Sequence, residues 1–377
     1  MTAPLVPDYG RGTLADLLPS IAAGMGAGGD NRLDLPPADR WVVLLVDGLG
    51  WEQLAGRESI APALTSLVAQ GRAITSGVPS TTVTSLSCLG TGLTPAEHGM
   101  AGYAFRYPPI GRILNALTWA PGLNGEDVQP QLTYLERIAT SGVAVSSVAP
   151  ARFRRSGLTA AALRGTHFLG VHDETDVDRR VELITQALDR GPRSLVYAYE
   201  RALDHTGHGR GVDSEAWRAQ LAWTDRLVLR IIAALPGDAA LLITGDHGMI
   251  DVAPSDQVVM EDEPELMADL AMFGGEGRLR QLYVAPGREA AVARRWTDRF
   301  GDDAWVRTRD EAFDEGWFGP HSPRLADRFG DVLVAMAGPH AVMTRTLPNE
   351  LALIGMHGSL TPAEMRVPLL VTRGSLG

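Results

Sequence analysis

The strongest constraint on the fold is an alternation of short apolar runs with amphipathic helical patterns. Four runs rich in Val, Leu and Ile have the length and composition of strands that are buried on both faces. They lie at residues 41–46, 142–148, 194–199 and 239–244. Helical periodicity predicts helices at residues 59–69, 131–141, 177–189 and 214–235. This alternation predicts an α/β fold with a mostly parallel central sheet and helices on both faces.

Two segments interrupt the alternation. Residues 103–129 are aromatic and punctuated by Pro and Gly, which predicts a long loop or a small cap. Residues 261–344 mix acidic helical patterns with strand-like pieces, which predicts an inserted α+β subdomain. We therefore expect a single domain over residues 1–377 that carries this smaller insertion.

Composition excludes several classes of protein. The net charge is −11 and the chain contains no lysine, which argues against a nucleic-acid surface and removes P-loop and Schiff-base lysines. Cys88 is the single cysteine, so neither an intramolecular disulfide nor a cysteine-based zinc knuckle can form. The amino terminus lacks a signal-peptide pattern and no apolar run is long enough to span a bilayer. We expect a cytoplasmic protein without a nucleic-acid or membrane partner, and the oligomeric state stays open.

Acidic and imidazole side chains follow the predicted strands. Ligands of open α/β sheets bind beyond the carboxyl ends of the strands, so these positions are the informative ones. Each residue taken alone could be a turn former or a polar loop residue. The candidates, all expected in loops at one rim of the sheet, are Asp47, Asp204, His208, Asp246, His247 and His357. Three acids and three imidazoles complete two cation sites, and mixed N/O donors suit zinc while tolerating manganese or iron.

Several hydroxyl side chains lie close together where a helix is expected to begin, in "VPSTTVTSLSCLGTG" at residues 78–92. Hydroxyls cap the free N–H groups of a first helical turn, so an N-cap is the ordinary interpretation. The alternative is a nucleophile at a helix start, where N–H groups and the helix dipole favour a phosphate. A threonine hydroxyl bound to a cation, such as that of Thr82, deprotonates readily, and paired metal ions suit in-line displacement at phosphorus. The combination predicts a phosphohydrolase.

Five segments, in this order, resemble the nucleotide pyrophosphatase/phosphodiesterase family of the alkaline phosphatase superfamily. They are "LLVDGLG", "VPSTTVTSLSCLGTGLTPAEHGM", "DHTGH", "GDHGM" and "GMHGSLTPAEMRVPLL", and the resemblance extends from Val42 to about Leu370. The resemblance implies an alkaline-phosphatase-like catalytic domain, two zinc ions, and a threonine nucleophile that forms a covalent phospho-enzyme. Matched by position, the nucleophile is Thr82, with Thr81 as the adjacent alternative. The resemblance assigns Asp204, His208 and His357 to one zinc ion, and Asp47, Asp246, His247 and Thr82 to the other.

The chain departs from the family beside the nucleophile. The family's phosphodiesterases usually carry an asparagine three residues after the nucleophile, where this chain has Ser85. Ser85 is therefore a candidate substrate contact, together with Tyr103 and Arg106 in the predicted cap.

The sequence thus predicts a two-metal phosphodiesterase or nucleotide pyrophosphatase that acts through a phosphothreonine on a small-molecule phosphoester. Three alternatives stay open: a phosphomonoesterase, a phosphonate hydrolase with the same metal site, and a zinc-binding pseudoenzyme. A sulfatase is disfavoured because Cys88 lacks the C-x-P-x-R setting of that family's nucleophile.

Overall fold

A computed structural model describes residues 3–320 and 323–374. Its strands, labelled in chain order, are β1 (Arg40–Val46), β2 (Arg72–Thr75), β3 (Ala104–Tyr107), β4 (Arg112–Asn115), β5 (Ala144–Pro150), β6 (His167–Val171), β7 (Ser194–Glu200), β8 (Ala239–Thr244), β9 (Ile250–Asp251), β10 (Gln257–Val259), β11 (Leu270–Glu276), β12 (Leu279–Val284), β13 (Ala304–Thr308), β14 (Val332–Met336), β15 (Ala341–Met343), β16 (Gly355–Met356) and β17 (Arg366–Arg373). The four predicted strands are confirmed as β1, β5, β7 and β8.

The α-helices are labelled in the same way. They are α1 (Leu17–Gly24), α2 (Pro62–Val68), α3 (Thr82–Thr91), α4 (Pro95–His98), α5 (Gly125–Val128), α6 (Tyr134–Thr140), α7 (Gly157–Ala162), α8 (Val177–Leu188), α9 (Ala202–Arg210), α10 (Glu215–Ala234), α11 (Pro264–Met267), α12 (Glu289–Phe300), α13 (Arg309–Asp314) and α14 (Pro362–Met365). The four predicted helices are confirmed as α2, α6, α8 and α10. Within the described part of the chain, no helix has the length and apolar character needed to cross a bilayer.

The central sheet has seven strands in the order β2-β17-β8-β1-β7-β5-β6. The five strands from β8 to β6 are parallel, and β17 pairs antiparallel with both β8 and β2. Along β1, Val46 lies opposite Glu200 of β7, and Leu45 lies opposite Thr244 of β8. The carboxyl ends of these three neighbouring strands therefore meet at one edge, as the predicted α/β fold requires.

Both faces of the sheet are buried, and β1 shows why its sequence is apolar from Trp41 to Val46. Val43 and Leu45 belong to one apolar cluster, which includes residues of α1, α3, α6 and α7. Val42, Leu44 and Val46 belong to the opposite cluster, with residues of α2, α8 and α10. Successive side chains of a strand point to opposite faces, so a strand between two helical layers has no polar face.

The segment at residues 261–344, predicted as an insertion, contains a second sheet. Strands β11, β12, β14 and β13 are antiparallel neighbours in that order, and α12 packs its Trp296 into the apolar cluster over this sheet. Two buried ion pairs join the sheet to its surroundings, Arg278 with Glu364 and Arg280 with Glu350. The boundaries of the insertion as a separate subdomain stay a prediction.

Residues 103–129, predicted as a long loop or small cap, contain the antiparallel hairpin β3–β4 followed by the short α5. The turn of this hairpin runs through residues 108–111 and ends at Gly111, which has a φ of +63°. The prolines and glycine that predicted a loop are thus the turn of a hairpin. The strands are only four residues long, too short to stand out from the sequence alone.

Candidate active site

One cluster of possible metal ligands comprises Asp204, His208 and His357, whose ligand atoms all lie within 4.8 Å of one another. His208 Nε2 is 3.3 Å from Asp204 Oδ1, and His357 Nε2 is 3.9 Å from the same oxygen. The prediction that Asp204 and His208 lie in a loop is wrong, because both belong to α9. Residues four apart on a helix share a face, which brings the two side chains together. Gly207, between them on the helix, packs closely, since a Cβ there would come within 2.4 Å of the Met249 sulfur.

The second cluster comprises Asp47, Asp246 and His247, and it is buried. His247 Nε2 lies 3.5 Å from Asp47 Oδ1 and 3.5 Å from Asp246 Oδ2. The cluster forms because β1 and β8 are neighbours whose carboxyl ends coincide. Gly245 permits this close approach, since a Cβ there would lie 2.1 Å from the carbonyl oxygen of Leu49.

The two clusters adjoin through their histidines. The rings of His247 and His357 stack with centroids 3.5 Å apart and an interplanar angle of 18°. The rings of His208 and His357 are 5.2 Å apart. The six candidate ligands, which span residues 47 to 357, therefore form one continuous site at the edge of the sheet.

Each of the three histidines has its Nδ1 against a backbone carbonyl oxygen. The pairs are His208 with Gly355 at 2.7 Å, His247 with Gly248 at 3.0 Å, and His357 with Ser80 at 2.8 Å. A carbonyl only accepts hydrogen bonds, so Nδ1 carries a proton, and in the neutral ring the lone pair is then on Nε2. Such contacts fix the tautomer and ring orientation of metal-binding histidines.

The electrostatics of the site favour a cation. Burial raises the pKa of Asp47, and the Asp246 and Asp204 carboxylates raise it further. Burial lowers the pKa of His357, as do the neighbouring His247 and His208 rings. Among the described residues, Asp204 Oδ1 and Asp246 Oδ2 are buried without a hydrogen-bond partner. Unpaired buried carboxylate oxygens beside imidazole Nε2 atoms are a donor set that fits divalent metal ions.

Thr82 is the first residue of α3 and follows Thr81, which has an extended backbone. Its Oγ1 lies 3.3 Å from His247 Nε2 and 3.5 Å from Asp47 Oδ1. The side chain of Thr81 interacts instead with the Glu276 carboxyl group. Of the two candidate hydroxyls, that of Thr82 therefore contacts the Asp47–Asp246–His247 cluster.

A cavity of about 550 Å³ opens over both clusters, and Thr82, Asp47, Asp204, His208 and His357 line it. Tyr103 also lines this cavity and donates a hydrogen bond of 2.5 Å to Glu350 Oε1.

Two predicted substrate contacts, Arg106 and Ser85, do not line the cavity. The Arg106 Nε donates to the Asp327 carbonyl oxygen at 2.8 Å, and its guanidinium lies over the Tyr283 ring. Ser85 is buried, and its hydroxyl has no partner among the described residues. The geometry thus brings Tyr103 to the cavity and leaves Arg106 and Ser85 outside it.

Two residues of the site escaped the sequence analysis. Tyr199 donates its hydroxyl hydrogen to Asp47 Oδ2. Glu276, at the end of β11, places Oε2 3.5 Å from His357 Nδ1. Tyr199 could have been suspected from its position near the end of β7, five residues before Asp204. Glu276 has no such signal, because it reaches the site from the second sheet.

Known proteins resemble this chain in sequence and in fold. A family model described as type I phosphodiesterase/nucleotide pyrophosphatase matches residues 41–360. Murine ectonucleotide pyrophosphatase/phosphodiesterase 5, solved as an inactive threonine-to-alanine variant with AMP, is 16% identical with a TM-score of 0.70, covering 88% of this chain and 87% of that one. Phosphonoacetate hydrolase from Sinorhizobium meliloti, in complex with phosphonoacetate, is 18% identical with a TM-score of 0.69, covering 90% and 92%. These likenesses confirm the predicted alkaline-phosphatase-like fold.

Proposed function

The chain belongs to the type I phosphodiesterase/nucleotide pyrophosphatase family and is a hydrolase of phosphoester bonds, and from this premise we propose that it hydrolyses a small phosphodiester or pyrophosphate through a phosphothreonine at Thr82. The observation that carries the proposal is the position of the Thr82 hydroxyl. It stands at a helix start, 3.3 Å from His247 Nε2 and 3.5 Å from Asp47 Oδ1, and it borders the 550 Å³ cavity.

Each of the two clusters would hold one divalent cation. Asp204, His208 and His357 would bind one, and Asp47, Asp246, His247 and Thr82 would bind the other. Carboxylate and imidazole donors without sulfur favour zinc. Bound there, such cations supply the positive charge that lowers the pKa of a hydroxyl group and stabilises developing charge on oxygen.

The residues of the chain supply position and orientation. Asp47 and His247 hold the Thr82 oxygen beside the cavity, and the first turn of α3 adds free N–H groups and the positive end of the helix dipole. In the first step, Thr82 Oγ1 releases its proton to solvent and bonds to phosphorus, while the bond to the leaving oxygen breaks and that oxygen keeps the electron pair. In the second, a water oxygen bonds to phosphorus and releases a proton, the bond to Thr82 breaks, and Thr82 Oγ1 takes up a proton.

The test is hydrolysis of bis-p-nitrophenyl phosphate beside p-nitrophenyl phosphate by the zinc-loaded protein. We expect Thr82→Ala to lose at least about 10³-fold in kcat, as enzymes do when a nucleophile is removed. Its zinc content, measured by mass spectrometry, should stay close to that of the parent protein. Thr81→Ala is the matched control, because it deletes the neighbouring hydroxyl that interacts with Glu276.

Near-normal turnover by Thr82→Ala would refute the nucleophile assignment, and an equal loss in Thr81→Ala alone would move it to Thr81. A preference for the monoester that depends on Thr82 would favour the phosphomonoesterase alternative. Zinc binding without hydrolysis of either ester would favour the pseudoenzyme.

A further inference from the structure

Thr82 lies where two cavities of different character meet. Besides the cavity of about 550 Å³, a narrow pocket of about 90 Å³ begins at Thr82. Thr82, Leu117, Phe153 and Tyr199 line both spaces. Resting on the function proposed for Thr82, we propose that the narrow pocket binds a small, uncharged, apolar ester substituent of the substrate.

The walls of the narrow pocket are apolar. Leucine, alanine and phenylalanine side chains form most of it: Leu86, Ala149, Leu158, Leu163 and Phe168. No described residue that lines it carries a carboxylate, an imidazole or a guanidinium group.

Most hydroxyl groups in this wall already have partners. Ser147 hydrogen-bonds Thr166 at 2.9 Å, and Ser156 donates to Thr159 at 2.9 Å. A charged substituent would lose its hydration there without gaining a counter-charge, which is costly. An alkyl group would instead gain by leaving water.

The volume of the narrow pocket limits the substituent. A cavity of about 150 Å³ accommodates benzene, which has six carbon atoms. At about 90 Å³, three fifths of that volume, the narrow pocket has room for about three to four carbon atoms at the same packing. A propyl group fits this volume, whereas an aromatic ring exceeds it.

The larger cavity offers a different environment on the other side of Thr82. Its wall includes Glu276, Glu350 and Tyr103, together with the Asp204–His208–His357 cluster and Asp47 of the other cluster. A phosphorus atom held beside Thr82 can therefore direct one substituent into each space. This arrangement requires a substrate with two unlike substituents, which favours an asymmetric diester over a monoester.

The test uses p-nitrophenyl alkyl phosphates in which the alkyl group is methyl, ethyl, propyl, pentyl or cyclohexyl. The leaving group and scissile bond stay the same throughout, so the series reports the alkyl group alone. Burial of a methylene group corresponds to about a fourfold gain. We expect kcat/KM to rise by about that factor per carbon up to propyl, and to fall for pentyl and cyclohexyl.

Two variants change the pocket in opposite directions. Ala149→Leu fills it, so the maximum of the series should move to the methyl ester. Leu158→Ala enlarges it, so the maximum should move to pentyl or cyclohexyl. Ratios of kcat/KM within one protein cancel any general loss of activity, and the parent series decides alone if a variant fails to fold.

A flat series, or one that keeps rising through cyclohexyl, would overturn the inference, as would the same maximum in both folded variants. If those results come from turnover that Thr82→Ala abolishes, the inference fails while the proposed function stands. Turnover that persists in Thr82→Ala would refute the proposed function itself.

Discussion

Replacing Tyr199 with phenylalanine removes the hydroxyl that hydrogen-bonds Asp47 Oδ2 while keeping the aromatic ring. That ring packs edge-on against Phe153 at 6.1 Å and stacks on Tyr197 at 6.4 Å between centroids. The substitution therefore isolates one contact. With Oδ2 held by Tyr199, Asp47 presents Oδ1 to Thr82 and His247, both 3.5 Å away.

The expected effect is a loss of metal affinity. Removing a partner that orients a metal ligand typically costs about 10- to 100-fold in affinity, which corresponds to about 1.4–2.7 kcal/mol. The hydrogen bond from Tyr199 also lowers the pKa of Asp47, opposing burial and the neighbouring carboxylates. Without it, that pKa rises further, so protons compete better for the carboxylate. The loss of affinity should therefore be larger at pH 6 than at pH 8.

The assay is a zinc titration against a competing chelator at both pH values. Tyr197→Phe is the matched control, because it makes the same change two residues earlier on β7, where the hydroxyl has no hydrogen-bond partner among the described residues. Its zinc affinity should change less than about twofold, since no ligand contact is lost. Equal affinities in the two variants, or a Tyr199→Phe loss independent of pH, would refute the reasoning.

Three further measurements probe the site and the fold. Chelation should lower the free energy of unfolding by about 2.7 kcal/mol for each metal present at 100 times its dissociation constant; a melting temperature unaffected by chelator would contradict the metal assignment. Burial and Arg328 lower the pKa of His98 to about 3. As the pH falls below 6.5, His98 is therefore protonated first in the unfolded chain, and the free energy of unfolding should fall by about 1.4 kcal/mol per pH unit. His98→Gln, compared with the parent protein by urea unfolding at pH 7 and pH 5, should lack this part of the pH dependence. Arg278→Met should lower the free energy of unfolding by about 3–5 kcal/mol, because it leaves the buried Glu364 carboxylate without its cation. Adding Glu364→Gln to that variant should recover part of this loss in a denaturant titration, and no recovery would contradict the charge argument.

The sequence by itself determined the layers of the fold and the edge at which the candidate ligands lie. Strands buried on both faces are apolar along their buried length, as β1 is from Trp41 to Val46. This pattern is visible in the sequence without knowing which segments pack against the strand. The alternation of such strands with helices then predicts a mostly parallel sheet. Since ligands of such sheets bind at the carboxyl ends of strands, Asp47 and Asp246 could be found as the polar residues that follow β1 and β8.

The family resemblance already implied how the candidate ligands group, and only the tertiary structure decided what orients them. Asp204 and His208 share a helical face, although the sequence analysis expected them in a loop. The histidine tautomers depend on carbonyl oxygens such as that of Ser80, which lies 277 residues from His357. Tyr199 and Glu276 reach the site from different sheets, and Arg106 turns to Asp327 instead of the cavity. Such contacts follow from the packing of distant segments, and the local patterns of propensity and burial that a sequence displays do not encode them.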